Sequence, residues 1–254
     1  MVHEIDDFDL EAFACVASRF GQDRYGYVVT PNVDHLVRYH EDSEFRRLYK
    51  AASYVLLDSR FACHLFRIVK GIRLPVCTGA DLTKALLSDV VEPSDRVVLL
   101  GASDEQAEHL ASRYGLRNVR HFNPPMGFIK NPTAVEDCLQ FVESASPFRF
   151  CFLAVGCPQQ EIIAERLLQR GTVRGLALCV GASLNFLTGA EPRAPKWVQH
   201  CGFEWMFRLI QNPKRMAYRY FVRGSRIFLH VWRARVVQRR AGADRQSATV
   251  DASN

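Results

Sequence analysis

The chain of 254 residues is 48% hydrophobic and 24% charged, with a formal net charge of +6, which is typical of a soluble globular protein. This length allows one full domain, or one domain with an appendage. The acidic residues 1–10 contain no apolar run, and no uninterrupted apolar run approaches about eighteen residues, so we expect neither a secretory signal nor a transmembrane helix.

Short apolar runs alternate along the chain with segments whose apolar residues recur at helical spacing. This alternation predicts right-handed β–α–β units, and therefore an α/β, Rossmann-like fold whose mostly parallel sheet is flanked by helices. The predicted strands are 25–30, 54–57, 96–100, 118–121, 148–155 and 175–180. The predicted helices begin near residues 33, 61, 103, 133 and 159.

Ligands of a parallel sheet bind beyond the carboxyl ends of its strands, so the residues that follow each strand are candidates for a site. These segments are all polar or rich in glycine, and we expect them to converge on one cleft. They are 30–32, 58–59, 101–103, 123–125, 156–161 and 181–183.

One of these segments has features of a phosphate site. Gly156 begins a strand-to-helix turn in which Pro158 takes the first helical position, where its missing N–H is not needed. The helix amides behind it would seat a diphosphate, with Gln160 and Glu161 in the first turn, or they could belong to a capped helix without a ligand. Gly101 begins a similar turn, which is a weaker candidate for a phosphate site. Neither turn is a Walker loop, and the absence of a strand leading into Gly-x-Gly-x-x-Gly argues against a nicotinamide or flavin site.

Asp58 follows an apolar strand at a point where packing does not require a carboxylate. It could take a proton from an attacking hydroxyl group, or it could cap the following helix. Thr30 and Asn32 flank a proline after the first strand. They could bind a sugar hydroxyl or a phosphate, or form a turn and an N-cap. The residue pattern leaves both pairs of alternatives open.

No metal and no cofactor are predicted. The eight cysteines are scattered without a Cys-x-x-Cys pair, which argues against a zinc site or a disulfide framework and favours a reducing cytoplasm. The eight histidines show no ligand spacing with cysteines or carboxylates. No predicted strand is followed by aspartates separated by one residue, the metal-binding pair of many nucleotide-sugar enzymes.

The positive charge is concentrated at the C-terminal end of the chain. Residues 201–254 contain eleven basic and three acidic residues, a net charge of +8, so residues 1–200 carry about −2 of the total of +6. We predict an α/β catalytic body at 1–200, a basic, amphipathic, helical appendage at 201–240 that associates with membranes, and a disordered tail at 241–254.

The predicted appendage carries regularly spaced arginines. On a helix they would form a stripe roughly 80° wide beside apolar residues, which is typical of a helix at an anionic membrane surface. A solvated basic face is the alternative. The arginines are Arg215, Arg219, Arg223, Arg226 and Arg233.

Several blocks of sequence share their order and spacing with one known family. They are Thr-Pro-Asn at 30–32, Asp58 after its strand, Thr-Gly-Ala-Asp-Leu at 78–82, Asn-Pro-Pro-Met-Gly-Phe at 123–128, Val-Gly-Cys-Pro-Gln-Gln-Glu at 155–161, Val-Gly-Ala at 180–182, Arg-Ala-Pro at 193–195, Gly-Phe-Glu-Trp-Met-Phe-Arg at 202–208 and Pro-Lys-Arg at 213–215. In these blocks, over roughly residues 26–228, the chain resembles the WecG/TagA/CpsF family of bacterial glycosyltransferases.

The resemblance implies an inverting, metal-independent transfer of a sugar from a UDP-sugar to a polyprenyl-diphosphate-linked saccharide at the cytoplasmic face of the membrane. It also implies self-association through the folded body. Asp58 would be the general base, and Thr30, Asn32 and Gln160 would shape the donor and acceptor site. The arginines implied to hold the diphosphate are Arg208, Arg215 and Arg219. The other candidate substrate-binding residues are Gly101, Pro125, Gly156, Glu161 and Asn185.

Three positions depart from the pattern that is usual in the family. Ser59 follows Asp58 in place of glycine, Val76 stands in place of an arginine, and Asn185 stands in place of an aspartate. These differences leave the reaction class unchanged but affect the choice of sugar. We expect a neutral hexose such as glucose, used in exopolysaccharide synthesis, in preference to N-acetylmannosamine or its uronic acid.

Two other classes of function compete with this interpretation. A non-catalytic nucleotide-binding protein, anchored by the basic helix, would use Asp58 only as a helix cap. Nucleic-acid binding would use the arginine stripe and the pI of about 9.0. The apolar flank of the same segment favours lipid, however, and no nucleic-acid motif is present, so no nucleic-acid partner is expected.

Overall fold

In the computed structural model, the structure describes residues 2–211, 213, 227 and 235–239. Its strands are β1 (Val2–Asp6), β2 (Tyr25–Val29), β3 (Tyr54–Val55), β4 (Arg96–Leu100), β5 (Asn118–Phe122), β6 (Phe150–Leu153), β7 (Gly175–Cys179) and β8 (Arg235–Arg239). Six of them form a parallel sheet in the order β3–β2–β7–β6–β4–β5. The six predicted strands and the α/β fold are thus confirmed.

Helices cover both faces of this sheet. In the described part of the chain they are α1 (Leu10–Arg19), α2 (Val33–Glu41), α3 (Ser43–Ala51), α4 (Arg60–Lys70), α5 (Gly79–Ala85), α6 (Asp104–Tyr114), α7 (Pro132–Ser144), α8 (Gln159–Arg170), α9 (Ser183–Thr188), α10 (Lys196–His200) and α11 (Glu204–Gln211). Helices α2, α4, α6, α7 and α8 begin within one residue of the predicted positions.

Alternation along the strands explains why the sheet is covered on both sides. In β2, Tyr27 and Val29 pack into a cluster with α3, α7 and α8, whereas Val28 packs into a cluster with α1, α5, α6 and α9. All three side chains are fully buried. Because both faces of a parallel strand are buried, its sequence is a continuous apolar run rather than an alternating one.

The two described ends of the chain pair with each other. Strand β8 lies parallel to β1 in a separate two-stranded sheet. Asp6, at the end of β1, accepts a hydrogen bond from the backbone amide of Val55 at 2.7 Å, and Ile227 is buried with Ile5. Residues 235–239, which we predicted as part of a helical appendage, therefore form a strand, because β1 offers them an unpaired edge. The tail at 241–254 lies outside the described residues.

Candidate active site

A pocket opens at the carboxyl ends of β2 and β3, where ligands of parallel sheets bind. Its walls come from three parts of the body, namely the turns after β2 and β3 and the loop before α5, and from the segment that runs from α10 into α11. The lining residues are Asn32, Val33, Asp34, Asp58, Ser59, Arg60, Phe61, Thr78, Gln199, Gly202, Glu204 and Trp205.

Asp58 is held at the rim of this pocket by backbone pairing that continues beyond β3. The amide of Leu56 donates to the carbonyl of Val29 at 3.0 Å, and the amide of Asp58 donates to the carbonyl of Pro31 at 2.9 Å. The half-buried Asp58 carboxylate accepts a hydrogen bond from the amide of Gly79, with an N–O distance of 3.3 Å. The strand thus places a carboxylate where a ligand of the sheet would lie.

The helix that follows Asp58 is capped by its neighbour. The Ser59 hydroxyl accepts a hydrogen bond from the amide of Ala62 at 3.1 Å, and Ser59 has the extended backbone of an N-cap. The alternative in which Asp58 caps α4 is therefore wrong. The Asp58 carboxylate instead points to the first residue of α5, which lies 21 positions further along the chain.

Asn32 lines the pocket and also caps α2. Its side-chain oxygen accepts from the amides of Asp34 at 3.0 Å and His35 at 3.3 Å, so both the predicted cap and the predicted position in the cleft are present. Thr30 is only 5% exposed, and its hydroxyl donates to the carbonyl of Cys179 at 3.0 Å. Thr30 thus joins β2 to the end of β7 behind the pocket wall.

Gln160 and Glu161 are buried in the first turn of α8, at 2% and 0% exposure. The side-chain oxygen of Gln160 accepts from the amide of Gly181 at 2.9 Å, and its Nε2 donates to Glu161 Oε1 at 3.0 Å. Burial raises the pKa of Glu161 to about 7, although hydrogen bonds from Gln160 and Cys157 act in the opposite direction. The turn after β6 is therefore braced from inside the protein.

The described residues contain one group with donor types that suit a metal, of which two members are buried and Cys157 is partly exposed. A ring nitrogen of His35, the thiol of Cys157 and a carboxylate oxygen of Glu161 lie within 4.8 Å of one another. His35 Nδ1 also shares a hydrogen bond with the Tyr49 hydroxyl, with a separation of 3.2 Å. Such a mixed set could hold a zinc ion by donor type. Sequence reasoning did not detect this group, because His35 lies 122 positions or more from Cys157 and Glu161.

Four further predicted site residues lie outside this pocket. The amide of Gly101 donates to the carbonyl of Phe122 at 2.8 Å, and a side chain at position 101 would press on the backbone of Ala154. Pro125 is exposed in the loop after β5, and Gly156 has a φ of 83° and accepts from the amide of Gln160. The side chain of Asn185 is shared between Gln106 and Glu191.

The start of the predicted appendage contacts the body. The rings of Phe61 and Trp205 meet edge to face with centroids 6.1 Å apart, and Gly202 packs on the first turn of α4. The backbone of Arg208 lies in α11, while its side chain, together with Arg215 and Arg219, lies outside the described residues. No helix of the described part is long and apolar enough to cross a bilayer.

Sequence reasoning missed several residues of the pocket wall. Arg60 is the cation among the described lining residues, which also include the acidic Asp34, Asp58 and Glu204. Its Nη2 lies 3.9 Å from Asp81 Oδ2. Thr78 was noticed only as part of a family block. Position in the chain could have identified Arg60 and Thr78, because each lies next to a segment that ends at the same edge of the sheet.

This geometry defines an α/β protein with a carboxylate-bearing ligand pocket at the carboxyl edge of a parallel sheet. The family model described as the glycosyl transferase WecG/TagA/CpsF family matches residues 2–241. Because the match spans nearly the whole chain, the protein belongs to this family, and it is a glycosyltransferase of polysaccharide synthesis. Membership of the family implies a nucleotide-sugar donor and a lipid-linked acceptor.

Proposed function

We propose that the protein is an inverting, metal-independent hexosyltransferase that uses a UDP-sugar, preferably UDP-glucose, and extends a polyprenyl-diphosphate-linked saccharide for exopolysaccharide. Asp58 takes the proton of the acceptor hydroxyl, whose oxygen then bonds to the anomeric carbon as the bond from that carbon to UDP breaks. UDP-N-acetylmannosamine or its uronic acid is the alternative donor.

The observation that carries this proposal is the placement of Asp58. Its carboxylate is half-buried at the pocket rim and hydrogen-bonded to Gly79, while Ser59 satisfies the helix that Asp58 would otherwise cap. A carboxylate that is not needed for capping, and that lies at the ligand edge of the sheet, suits a general base.

The departing UDP carries negative charge that the proposed reaction must offset. Arg60, which lines the pocket, would offset part of this charge. We assign the same role to Arg208, Arg215 and Arg219, because guanidinium groups bind phosphate oxygens in a bidentate manner and stay charged. The basic segment 201–240 would also bind the anionic, cytoplasmic face of the cell membrane. Self-association through the body is a further part of the proposal.

An Asp58→Asn variant tests the reaction. We expect transfer to fall by about 10³-fold, within the range for loss of a general base, while UDP binding measured by calorimetry is retained. The assay measures UDP release from UDP-glucose with a short-chain polyprenyl-diphosphate saccharide in EDTA. Asp104→Asn, which changes an exposed carboxylate after another strand, is the control. Near-normal turnover of Asp58→Asn would remove Asp58 from the mechanism.

The donor and the membrane role need separate measurements. Mass spectrometry of the lipid product from a panel of UDP-sugars identifies the sugar, and NMR of the new linkage shows inversion or retention. For the membrane role, an Arg215→Glu, Arg219→Glu double variant should sediment less with vesicles that contain anionic lipid. Equal sedimentation of the variant and the unchanged protein would contradict it.

A further inference from the structure

Two sequence blocks that the proposed reaction does not use meet beside Asp58. They are 78–82 and 193–195, separated by more than a hundred positions. Arg193 Nη1 donates to Asp81 Oδ1 at 2.6 Å, and Arg193 Nη2 donates to Thr78 Oγ1 at 3.4 Å. One guanidinium group therefore binds two side chains of the first turn of α5.

These two side chains also bind each other. Thr78 Oγ1 donates to Asp81 Oδ2 at 2.8 Å and accepts from the amide of Asp81 at 3.2 Å, which makes Thr78 the N-cap of α5. Both carboxylate oxygens of Asp81 are thus engaged, one by Arg193 and one by Thr78. The next residue after the cap, Gly79, is the one whose amide donates to Asp58.

The start of α5 has little room to adjust by itself. A Cβ atom at Gly79 would lie 3.2 Å from Thr30 Oγ1 and 3.3 Å from Ser183 Oγ. Gly79 is therefore enclosed between the ends of β2 and β7. A small rotation of the first turn would move the amide of Gly79 relative to Asp58, and the side chain of Arg193 resists that rotation from outside.

Charge also couples this group to Asp58. Burial opposes the charged form of Arg193, but hydrogen bonding and the charge of Asp81, together with the charges of Glu204 and Asp58, raise the pKa of Arg193. Burial would raise the pKa of Asp81, yet the hydrogen bonds from Arg193 and Thr78, with the charges of Arg193 and Arg60, hold it below its ordinary value. Arg193 and Asp81 are therefore both ionised at neutral pH.

We propose that Arg193 is a positioning residue for Asp58. By clamping Thr78 and Asp81 it fixes the Gly79 amide against the Asp58 carboxylate, and its positive charge favours the ionised form that accepts a proton. This inference rests on the proposed function, in which Asp58 is the general base. A merely structural role, in which Arg193 only ties the loop after α9 to α5, is the competing explanation.

Two variants separate these roles. In Arg193→Met the clamp and the charge are both lost, and we expect kcat to fall about 10- to 100-fold, as for a slightly misplaced catalytic group, with a much smaller change in KM for the UDP-sugar. In the plot of kcat against pH, the limb on the acid side should move to higher pH. Arg193→Lys keeps the charge without the bidentate geometry, so the acid limb should return while kcat recovers only in part. The control is Arg149→Met, another partly buried, ion-paired arginine, whose side chain binds the carbonyl of Phe20.

A second readout does not depend on activity. The Asp58 carboxyl is titrated by ¹³C NMR, and hydrogen exchange of the Gly79 amide is followed, in the wild-type protein and the three variants. We expect a higher Asp58 titration midpoint in Arg193→Met alone. Gly79 exchange should be faster in Arg193→Met and, to a smaller extent, in Arg193→Lys, and unchanged in Arg149→Met. If Arg193→Met only lowers stability, as Arg149→Met does, with the acid limb, the midpoint and the exchange unchanged, the inference is overturned. If the wild-type protein transfers no sugar, the proposed function fails, but the titration still decides the coupling.

Discussion

The side-chain oxygen of Gln160 accepts a hydrogen bond from the backbone amide of Gly181 at 2.9 Å, and so joins the turn after β6 to the turn after β7. The other end of the same amide group donates to Glu161. Gln160 itself is only 2% exposed, so its side chain exchanges little hydrogen bonding with bulk solvent. Gln160 therefore contributes to the shape of the strand edge by fixing two of its turns relative to each other.

Replacement of Gln160 by methionine should destabilise the fold. The new side chain has similar length but no amide group, so the partly buried Gly181 amide and an oxygen of the fully buried Glu161 lose their partner. We expect the free energy of unfolding to fall by about 2 kcal/mol, the usual cost of a buried polar group left unsatisfied. Urea denaturation measures it. The control is Gln140→Met, since Gln140 bonds to Glu136 at the exposed surface of α7. Equal effects of the two changes would contradict the argument.

The buried Glu161 should make stability depend on pH in a defined window. Burial raises its pKa in the folded protein from 4.5 to about 7. Between these values the folded state holds a proton that the unfolded state has lost, so the free energy of unfolding falls as pH rises from about 4.5 to about 7 and then levels off. At 1.36 kcal/mol per pKa unit, the loss amounts to about 3 kcal/mol.

The variant Glu161→Gln isolates this contribution. It keeps the oxygen that accepts from Gln160 but does not ionise, so its stability relative to the wild-type protein should improve steadily between pH 4.5 and pH 7. Urea denaturation across this range measures the difference. Glu108→Gln, on the exposed face of α6, should show a constant difference. A constant difference for Glu161→Gln as well would show that the carboxyl is not protonated by burial.

Gly175 should tolerate no side chain. Its φ is 122°, and an added Cβ atom would collide with the carbonyl oxygen of Phe148. We expect Gly175→Ala to lower the free energy of unfolding by about 4 kcal/mol, because overpacking and backbone strain add together. The matched control is Gly115→Ala at the end of α6, where φ is 65° and nothing lies within 4 Å, with an expected cost of about 1 kcal/mol. Thermal unfolding of both variants measures the two losses of stability, and equal losses would contradict the predicted collision.

The sequence predicted the central sheet because its strands are buried on both faces. The run Arg-Val-Val-Leu-Leu of β4 has apolar side chains on both faces of the strand, so it is stable only when both faces are buried. The strand has the predicted bounds. The same reasoning led to Asp58, since the residue after a parallel strand must lie at the ligand edge. Local pattern and global position agree at these points, so the sequence alone was sufficient.

Other parts of the site depend on contacts between residues far apart in the chain, which a local sequence pattern does not predict. Arg193 and Asp81 are 112 positions apart, and their ion pair follows only from how α5 and α9 pack on one face of the sheet. Likewise β8 is a strand because β1 presents an edge to it, although the arginine spacing that ends at Arg233 predicted a helix through this part of the chain. Such long-range pairing overrides local periodicity, which is why the predicted helix at 235–239 was wrong.

The assignment of the cap of α4 to Ser59, and not to Asp58, has a consequence for stability. The Ser59→Ala change removes the acceptor for the amide of Ala62, and we expect it to lower the free energy of unfolding by about 1 kcal/mol. Ser59→Gly should cost only a few tenths of a kcal/mol, because glycine is itself tolerated at an N-cap. Asp58→Asn should leave stability within about 0.5 kcal/mol, since its amide oxygen still accepts from Gly79.

Hydrogen exchange locates these effects within the chain. Amides in the first turn of α4 should exchange faster in Ser59→Ala, because the cap that closes this turn is lost, and should be unaffected in Asp58→Asn. If the Asp58 variant also opened the first turn of α4, its carboxylate would be serving the helix after all. Its loss of transfer would then have a structural cause, and the general base would have to be sought among the other acidic residues of the pocket wall, Asp34 and Glu204.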